Sequence, residues 1–197
     1  MNVIGLLRHG PTAWNREKLI QGDSDVPLAE ESFAVEPWLE LLSSCGPWHR
    51  LVSSPLSRCR RTCELLFPGR DYAVEPDFRE QSWGSWTGAT LVEIESRFPG
   101  AIALEEQRGW DFTPGGGESR REVLARSLAA IARISAGGDG ERILIVTHLG
   151  VIKMLLNHLH GSLFLPGQSF AVSKRALHLL RREEGKLSIL AHNIELP

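Results

Sequence analysis

With 197 residues, the chain is long enough for one domain, over residues 1–197, that buries roughly 70% of the surface of its unfolded form. Its 22 lysine and arginine residues nearly balance its 24 acidic residues, so the formal charge of -2 gives no general attraction for nucleic acid or an anionic membrane. No stretch reaches about 18 consecutive apolar residues, and the initial run MNVIGLL is too short for a signal peptide. The composition predicts a soluble, cytoplasmic protein in which any anion site is local.

Three short apolar runs have the character of buried strands. They lie at residues 3–7, 50–53 and 142–147. A segment with helical character follows each run, and this alternation is typical of a parallel α/β sheet. After the second run, Ser54 is expected to cap a helix and Pro55 to occupy its first position. The helix after the third run is expected to end near Gly161.

Further helices are predicted between these strands. Residues 30–43 have helical character. Two capping boxes mark two more helix starts. In a capping box, a hydroxyl residue and a glutamate three positions later accept hydrogen bonds from each other's backbone N–H groups. These boxes pair Thr90 with Glu93 and Ser119 with Glu122.

The segment 171–195 predicts two strands joined by a turn at Glu184 and Gly185. The whole chain is therefore expected to form a three-layer α/β/α fold, with a mostly parallel central sheet and a C-terminal antiparallel hairpin. In open α/β sheets, ligands bind at the carboxyl ends of the strands. The residues that follow the three buried strands are thus the first candidates for a site.

The three cysteines, Cys45, Cys59 and Cys63, suit a reducing compartment because they form an odd set without a disulfide framework. Cys59 and Cys63 lie four residues apart on a predicted helix, where buried thiols explain them better than a redox or metal role. No CxxC or HExxH spacing indicates a metal site. We expect neither a metal nor another cofactor.

Cationic and imidazole side chains follow all three buried strands. Arg8 and His9 end the first, Arg58 falls near the first turn of the helix after the second, and His148 ends the third. Parallel strands bring these positions to one edge of the sheet. Two guanidinium groups and two imidazoles beside helix N-termini favour a small dianion, above all a phosphoryl group.

An imidazole beside these arginines suits phosphoryl transfer, in which it accepts the phosphoryl group as a nucleophile, and His9 is the better candidate. A carboxyl group is then required to protonate the leaving oxygen and to deprotonate water. Several carboxylates are available, among them Glu75, Asp77, Glu80 and Glu118. The residues alone do not choose among them.

Six motifs occur in an order and spacing that resemble the histidine phosphatase superfamily, also called phosphoglycerate mutase-like. They are LLRHGPTAWN, QGDSDVPLA, SSPLSRCRRTCELL, REQSWGSWTG, PGGES and IVTHLGVIKMLL. The RHG triplet alone is weak evidence, but the ordered set is specific and covers most of the chain. The GSWTG segment resembles the short phosphatase branch, which includes α-ribazole phosphatases.

The resemblance implies a role for each of five catalytic residues. His9 would be the phosphorylated nucleophile, and Arg8 beside it would bind phosphoryl oxygens. Arg58 would be the second arginine of the pocket, and His148 would hydrogen-bond the transferring group. Glu80 would be the acid and base.

Three further positions resemble phosphate and substrate contacts, namely Asn15, Gln21 and Gly22. The chain also departs from the family pattern at three places. Pro11 stands where many members have Glu, Leu149 stands where Gly is common, and AEESFAVEPW replaces a Thr-x-x-Gly-x-x-Gln-Ala pattern. None of these departures removes a catalytic group.

The predicted function is hydrolysis of a small-molecule phosphomonoester through a phosphohistidine, without a cofactor. A nucleotide, a sugar phosphate, a phosphoglycerate and α-ribazole phosphate all fit as substrates. Two alternatives stay open, a phosphoglycerate mutase-type phosphotransferase and a phosphate-binding module without turnover. The sequence allows a homodimer but does not specify one.

Overall fold

The computed structural model describes residues 1–138 and 140–196, and these ranges form one six-stranded sheet with helices around it. The strands are β1 (Asn2–Arg8), β2 (Arg50–Ser53), β3 (Ala73–Val74), β4 (Arg142–Thr147), β5 (Ala176–Glu183) and β6 (Lys186–Glu195). Their order across the sheet is β3-β2-β4-β1-β5-β6. β1 to β4 pair in parallel, whereas β5 is antiparallel to β1 and β6 is antiparallel to β5. The predicted mostly parallel sheet with a C-terminal antiparallel hairpin is confirmed.

The α-helices of the described ranges are α1 (Ala13–Glu17), α2 (Glu36–Ser44), α3 (Ser57–Leu66), α4 (Leu91–Arg97), α5 (Ala101–Glu106), α6 (Arg120–Ile134) and α7 (Leu149–His160). Short 3₁₀ helices lie at Glu30–Ser32, Pro76–Phe78, Gly84–Trp86, Gly109–Asp111 and Pro114–Gly116. Within residues 1–138 and 140–196, no helix has the length and apolar character needed to span a membrane.

The central strands are buried on both faces, because successive side chains of a strand point to opposite sides. On one side, Ile4 and Leu6 of β1 join a core formed with α6 and α7. On the other side, Val3 and Leu7 join a core formed with α2 and α3. Helices therefore cover both faces of the sheet, which confirms the predicted three layers.

The helix after β2 begins later than the sequence suggests. The prediction that Ser54 caps this helix and that Pro55 is its first residue is wrong, because α3 begins at Ser57. The Ser54 hydroxyl instead bonds the His148 imidazole at 2.7 Å, and the Ser57 N–H donates to Asp25 Oδ1 at 2.6 Å. Partners from distant parts of the chain have replaced the local cap.

The predicted helix over residues 30–43 is also wrong in extent, since only a 3₁₀ turn covers Glu30–Ser32 and α2 begins at Glu36. Pro37 explains the late start. Proline lacks a backbone N–H and is tolerated in the first turn of a helix but not in its interior. The segment before α2 is thereby free to place the Phe33 ring against Gly10.

The other predicted boundaries agree with the structure. Both capping boxes are present, at the starts of α4 and α6. α7 ends at Gly161, which has the left-handed conformation that glycine adopts readily (φ 77°). Glu184 and Gly185 form the two-residue turn of the hairpin, both with positive φ, as its type I′ geometry requires.

Gly5 of β1 leaves space for the Trp48 indole, since a Cβ at Gly5 would lie 2.5 and 2.8 Å from two carbons of that ring. We expect Gly5→Ala to lower the free energy of unfolding by about 1–3 kcal/mol, the usual cost of overpacking a core. As a control, Gly137→Ala adds its methyl group where no described heavy atom lies within 4 Å, and it should change stability by less than about 0.5 kcal/mol. Urea unfolding measures both variants, and equal midpoints would contradict the tight contact at Gly5.

Candidate active site

The carboxyl ends of β1, β2 and β4 lie side by side at one edge of the sheet. In the register of the parallel strands, Arg8 pairs with Thr147 and Ser53 pairs with Val146. The residues that follow, His9, Ser54 and His148, are therefore brought together. The imidazole centroids of His9 and His148 are 5.2 Å apart, and their planes are inclined by 59°.

His9 is held as a neutral imidazole with one nitrogen available. Its Nδ1 lies 2.6 Å from the Gly10 carbonyl oxygen, so Nδ1 carries the proton and donates, which leaves the lone pair on Nε2. Burial lowers the His9 pKa well below its usual value, and the positive charges of Arg8 and Arg58 lower it further. A neutral imidazole with a free lone pair is the form that can attack phosphorus.

Arg58 is completely buried in the first turn of α3, next to the His9 strand end. Its guanidinium donates through Nη1 to the Ser24 carbonyl at 2.6 Å and through Nη2 to the Gly22 carbonyl at 2.9 Å. The Nε atoms of Arg58 and Arg8 are buried and have no hydrogen-bond partner among the described residues. Such donors are costly when left unsatisfied, and they fit an anion bound between the two arginines.

His148 lies next to His9 and is fully buried. Its Nε2 is 2.7 Å from the Ser54 hydroxyl and 3.4 Å from the Cys59 sulfur. Burial lowers the His148 pKa, and the positive charge of Arg58 lowers it further. The structure therefore places this histidine against the His9 ring, while its predicted bond to the transferring group is here a bond to Ser54.

Glu80 reaches the same edge from a loop and binds the start of α7. Its Oε2 accepts the Gly150 N–H at 3.1 Å, and its Oε1 accepts the Gln81 N–H at 2.9 Å. The N-terminus of a helix attracts a carboxylate through its unpaired N–H groups and its dipole. Gly150 has to be glycine for this approach, since a Cβ there would collide with the Glu80 carboxylate.

The four candidate carboxylates have different surroundings. Glu75 and Asp77 both accept hydrogen bonds from an arginine near the end of α6, at 3.0 and 2.6 Å. Glu118 is paired with a second arginine of that helix. Of the four, Glu80 is the one that lines the cleft containing His9.

Arg126 positions the loop that carries Glu80, and nothing in the sequence motifs points to it. Its guanidinium makes a two-bond ion pair with Glu118, at 2.7 and 2.8 Å. The same group donates to the carbonyl oxygens of Asp77, Arg79 and Glu80, at 2.5, 2.8 and 3.2 Å. These hydrogen bonds from α6 therefore fix the path of the main chain that leads to Glu80.

The cleft in front of His9 has a volume of ≈ 370 Å³, and all three predicted binding residues line it. Asn15 uses its Oδ1 in the capping box of α1, where it accepts the Thr12 N–H at 3.0 Å. Gln21 has a buried Oε1 without a partner among the described residues. Gly22 has a positive φ of 50°, and its carbonyl oxygen holds Arg58.

The same cleft is also lined by groups that sequence reasoning missed. Arg120 and Lys153 line it together with Phe112, Leu149 and Phe164. Lys153 lies one helical turn after Gly150, within the last of the six motifs, and that spacing is the signal that could have indicated it. Arg120 follows the second capping box directly, but the box itself explains only the helix start.

Three buried histidines make the free energy of unfolding depend on pH. In the unfolded chain, His9 and His148 bind a proton near pH ~6.5, whereas in the folded chain their pKa values lie well below that. As the pH falls below about 6.5, the unfolded state binds more protons, so the free energy of unfolding falls by up to about 1.4 kcal/mol per pH unit for each histidine. His178, whose pKa burial lowers to about 4, acts with the same sign.

Urea unfolding between about pH 7 and about pH 5 measures this dependence. The variant His9→Gln should lose close to one proton from the slope, whereas His158→Gln, on the exposed side of α7, should keep the wild-type slope. Identical slopes for wild type and His9→Gln would contradict the buried neutral state of His9.

Comparison with known proteins gives a consistent result. The family model for the histidine phosphatase superfamily (branch 1) matches residues 4–195. Phosphoglycerate mutase-like protein 4 of Arabidopsis thaliana is 34% identical over 157 residues, which cover 77% of this chain and 68% of that protein. The adenosylcobalamin/alpha-ribazole phosphatase of Salmonella typhimurium is 29% identical over 158 residues, covering 79% of this chain and 78% of that protein.

Among solved structures, a mycobacterial glucosyl-3-phosphoglycerate phosphatase in complex with VO3 superposes with a TM-score of 0.82 at 26% identity. That alignment covers 99% of this chain and 100% of the other. The fold and the family match extend over nearly the whole chain. This chain belongs to the histidine phosphatase superfamily, branch 1.

Proposed function

We propose that this protein hydrolyses a small phosphomonoester through a phosphohistidine formed on His9. The observation that carries the proposal is the state of His9, a neutral imidazole whose Nδ1 is bonded to the Gly10 carbonyl and which lies beside Arg8 and Arg58. Membership of the histidine phosphatase family supports a phosphoric monoester hydrolase. Relatives named as phosphatases of α-ribazole and of glucosyl-3-phosphoglycerate support a phosphorylated small metabolite as the substrate.

In the first step, Nε2 of His9 attacks phosphorus while the bond between phosphorus and the alcohol oxygen breaks. Glu80, entering the step with a proton, gives that proton to the departing oxygen, and the alcohol leaves neutral. In the second step, Glu80 removes a proton from water as the water oxygen attacks phosphorus. The phosphorus–nitrogen bond then breaks, phosphate is released, and His9 returns to its neutral form.

Positive charge near the phosphoryl oxygens stabilises both transition states. Arg8 and Arg58 provide it, since both guanidinium groups line the cleft with His9 and each has a buried Nε for which the described residues offer no acceptor. We assign His148 to the same oxygens, which requires its Nε2 to exchange the Ser54 hydroxyl for the substrate. Phosphate and substrate contacts are assigned to three residues of the cleft wall, Asn15, Gln21 and Gly22.

A trapped intermediate tests the nucleophile. Wild-type protein mixed with a phosphomonoester that is radiolabelled on phosphorus, and then quenched in detergent, should retain label that acid removes and base does not. His9→Ala should retain none, whereas His158→Ala, on an exposed face of α7, should be labelled like wild type. Full turnover by His9→Ala would falsify the covalent route.

Two substitutions test the role of Glu80, one by replacing its carboxyl group and one by displacing it. Glu80→Gln should lower kcat by about 10²- to 10⁴-fold, the usual range for a general acid and base. Gly150→Ala should also lower kcat, because its methyl group displaces the Glu80 carboxylate, yet it should leave thermal stability nearly unchanged since alanine suits a helix. Steady-state kinetics with a melting curve measures both, and an unchanged kcat in Glu80→Gln would assign the proton transfers to another carboxyl group.

A further inference from the structure

A second cavity, with a volume of ≈ 310 Å³, adjoins the end of β1. It shares Arg8, His9 and Asn15 with the cleft described above, but its other lining residues do not line that cleft. Neither Arg58 nor Glu80 is among them. The cavity is therefore distinct from the place where the leaving group meets its acid, and the proposed reaction assigns no group to it.

The walls of this second cavity come from two of the places where the chain departs from the family pattern. Pro11, which stands where many members have Glu, is one lining residue. The AEESFAVEPW segment contributes five more, namely Ser32, Phe33, Ala34, Pro37 and Trp38. A glutamate at position 11 would add a carboxylate to the lining. The character of the cavity is therefore set by residues particular to this chain and not by the catalytic set.

The apolar wall is held against the residues that follow His9. The Ala29 N–H donates to the Pro11 carbonyl oxygen at 2.8 Å, which ties the start of the wall segment to this turn. The Phe33 ring packs on Gly10, where a Cβ would lie 2.8 Å from the ring carbon Cδ2. An aromatic ring is thus placed next to the end of β1. Apolar walls with a few polar groups are typical of sites for small molecules.

Lys174 and Arg175 bring positive charge to the same cavity. β5 runs antiparallel to β1 with Leu177 opposite Leu7, so the residues that precede β5 pass the end of β1 that carries His9. Both cationic side chains line the cavity. Within the described ranges, neither side chain makes a hydrogen bond or an ion pair. Their donors are therefore available to a ligand.

The main chain of residues 171–175 is held by two side chains of the C-terminal hairpin. Asn193 accepts the Ser173 N–H at 2.8 Å and donates to the Ala171 carbonyl oxygen at 3.0 Å. His178 accepts the Asn193 N–H at 3.1 Å through Nδ1 and donates through Nε2 to the Ser173 carbonyl oxygen at 3.3 Å. The segment that carries the two cations is thus fixed beside the cavity.

The lining of the second cavity has positive charge without a counter-charge. Arg8, Lys174 and Arg175 line it, and no acidic residue of the described ranges does. The Arg8 Nε is buried and has no acceptor among those residues. Glu195 shares a neighbouring depression with Lys174 and Arg175, but it forms no ion pair with either. Like charges repel one another, so an anion between them is favoured, and the apolar walls favour an apolar body behind its charge.

We infer that the second cavity binds a small organic anion with an apolar body, and that Lys174 and Arg175 bind its charged group. The inference goes beyond the proposed hydrolysis, because this ligand is neither attacked by His9 nor protonated by Glu80. Pro11 contributes by leaving the lining without a carboxylate.

Two probes separate the charge of the ligand from its shape. They are naphthalene-1-carboxylate and its neutral isostere naphthalene-1-carboxamide, and calorimetric titration of the whole protein measures the Kd of each. Wild type should bind the carboxylate with a Kd about tenfold to hundredfold lower than that of the amide, the range for hydrogen bonds to a charged group. Lys174→Gln combined with Arg175→Gln should remove most of this preference. Arg181→Gln combined with Lys186→Gln removes two exposed charges of the same hairpin that do not line the cavity, and it should keep the preference.

Position 11 provides a second, matched test. Pro11→Glu adds a carboxylate to the lining, so it should abolish the preference for the charged probe. Pro11→Gln changes the main chain in the same way and has nearly the same size without the charge, so it should keep the preference. An equal preference in the two variants would contradict the role of charge in this cavity.

A titration in saturating orthovanadate, which occupies the position of the phosphoryl group beside His9, distinguishes the two sites. The carboxylate should still bind, because Lys174 and Arg175 remain available to it. Loss of binding in orthovanadate would assign the probe to the phosphoryl site and overturn the inference. Equal Kd values for the two probes in wild type, or an unchanged preference in the variant that lacks both cations, would also overturn it. These titrations involve no turnover, so their failure would leave the phosphohistidine mechanism to its own test.

Discussion

The parallel pairing of β4 with β1 and β2 is the constraint on which the rest of the site depends. With Arg8 opposite Thr147 and Ser53 opposite Val146, three strands end at the same height. A slip of one residue in either pairing would turn the strand's side chains to the opposite face of the sheet. His9 and His148 lie one residue beyond those pairs, so the distance between their rings is a direct product of the register.

The electrostatics of this edge follow from how Arg58 is satisfied. Its charge is buried, and burying a charge without compensation is strongly unfavourable. Two carbonyl oxygens, from Gly22 and Ser24, accept hydrogen bonds from its Nη atoms without cancelling its charge. The positive potential remains, keeps His9 in its neutral form, and is available to a dianion. A carboxylate in the place of those carbonyls would have stabilised Arg58 but weakened the site.

Sequence reasoning predicted the structure correctly where the signal was local. It failed where a residue distant in the sequence determines the contact of a side chain. The strand before His148 and the helix that ends at Gly161 follow from hydrophobic runs and a terminal glycine, and the structure has them as predicted. Ser54 looked like a cap because its hydroxyl suits one, but an imidazole from another strand binds that hydroxyl. Arg126 lies outside the six motifs and Lys153 lies inside the last of them, but neither sequence position shows what α6 and α7 face after folding.

The way Arg126 holds the loop before Glu80 has a consequence for how this enzyme can change. All three loop oxygens that it binds belong to the main chain, at positions 77, 79 and 80. A carbonyl oxygen is the same for nearly every residue type, so the anchoring tolerates replacement of the side chains at 77 and 79. Natural drift or directed evolution can therefore alter the charge and bulk beside the acid while the acid keeps its place. Positions 77 and 79 of this loop can therefore accept other side chains, whereas Glu80, which the proposed reaction requires, cannot be replaced.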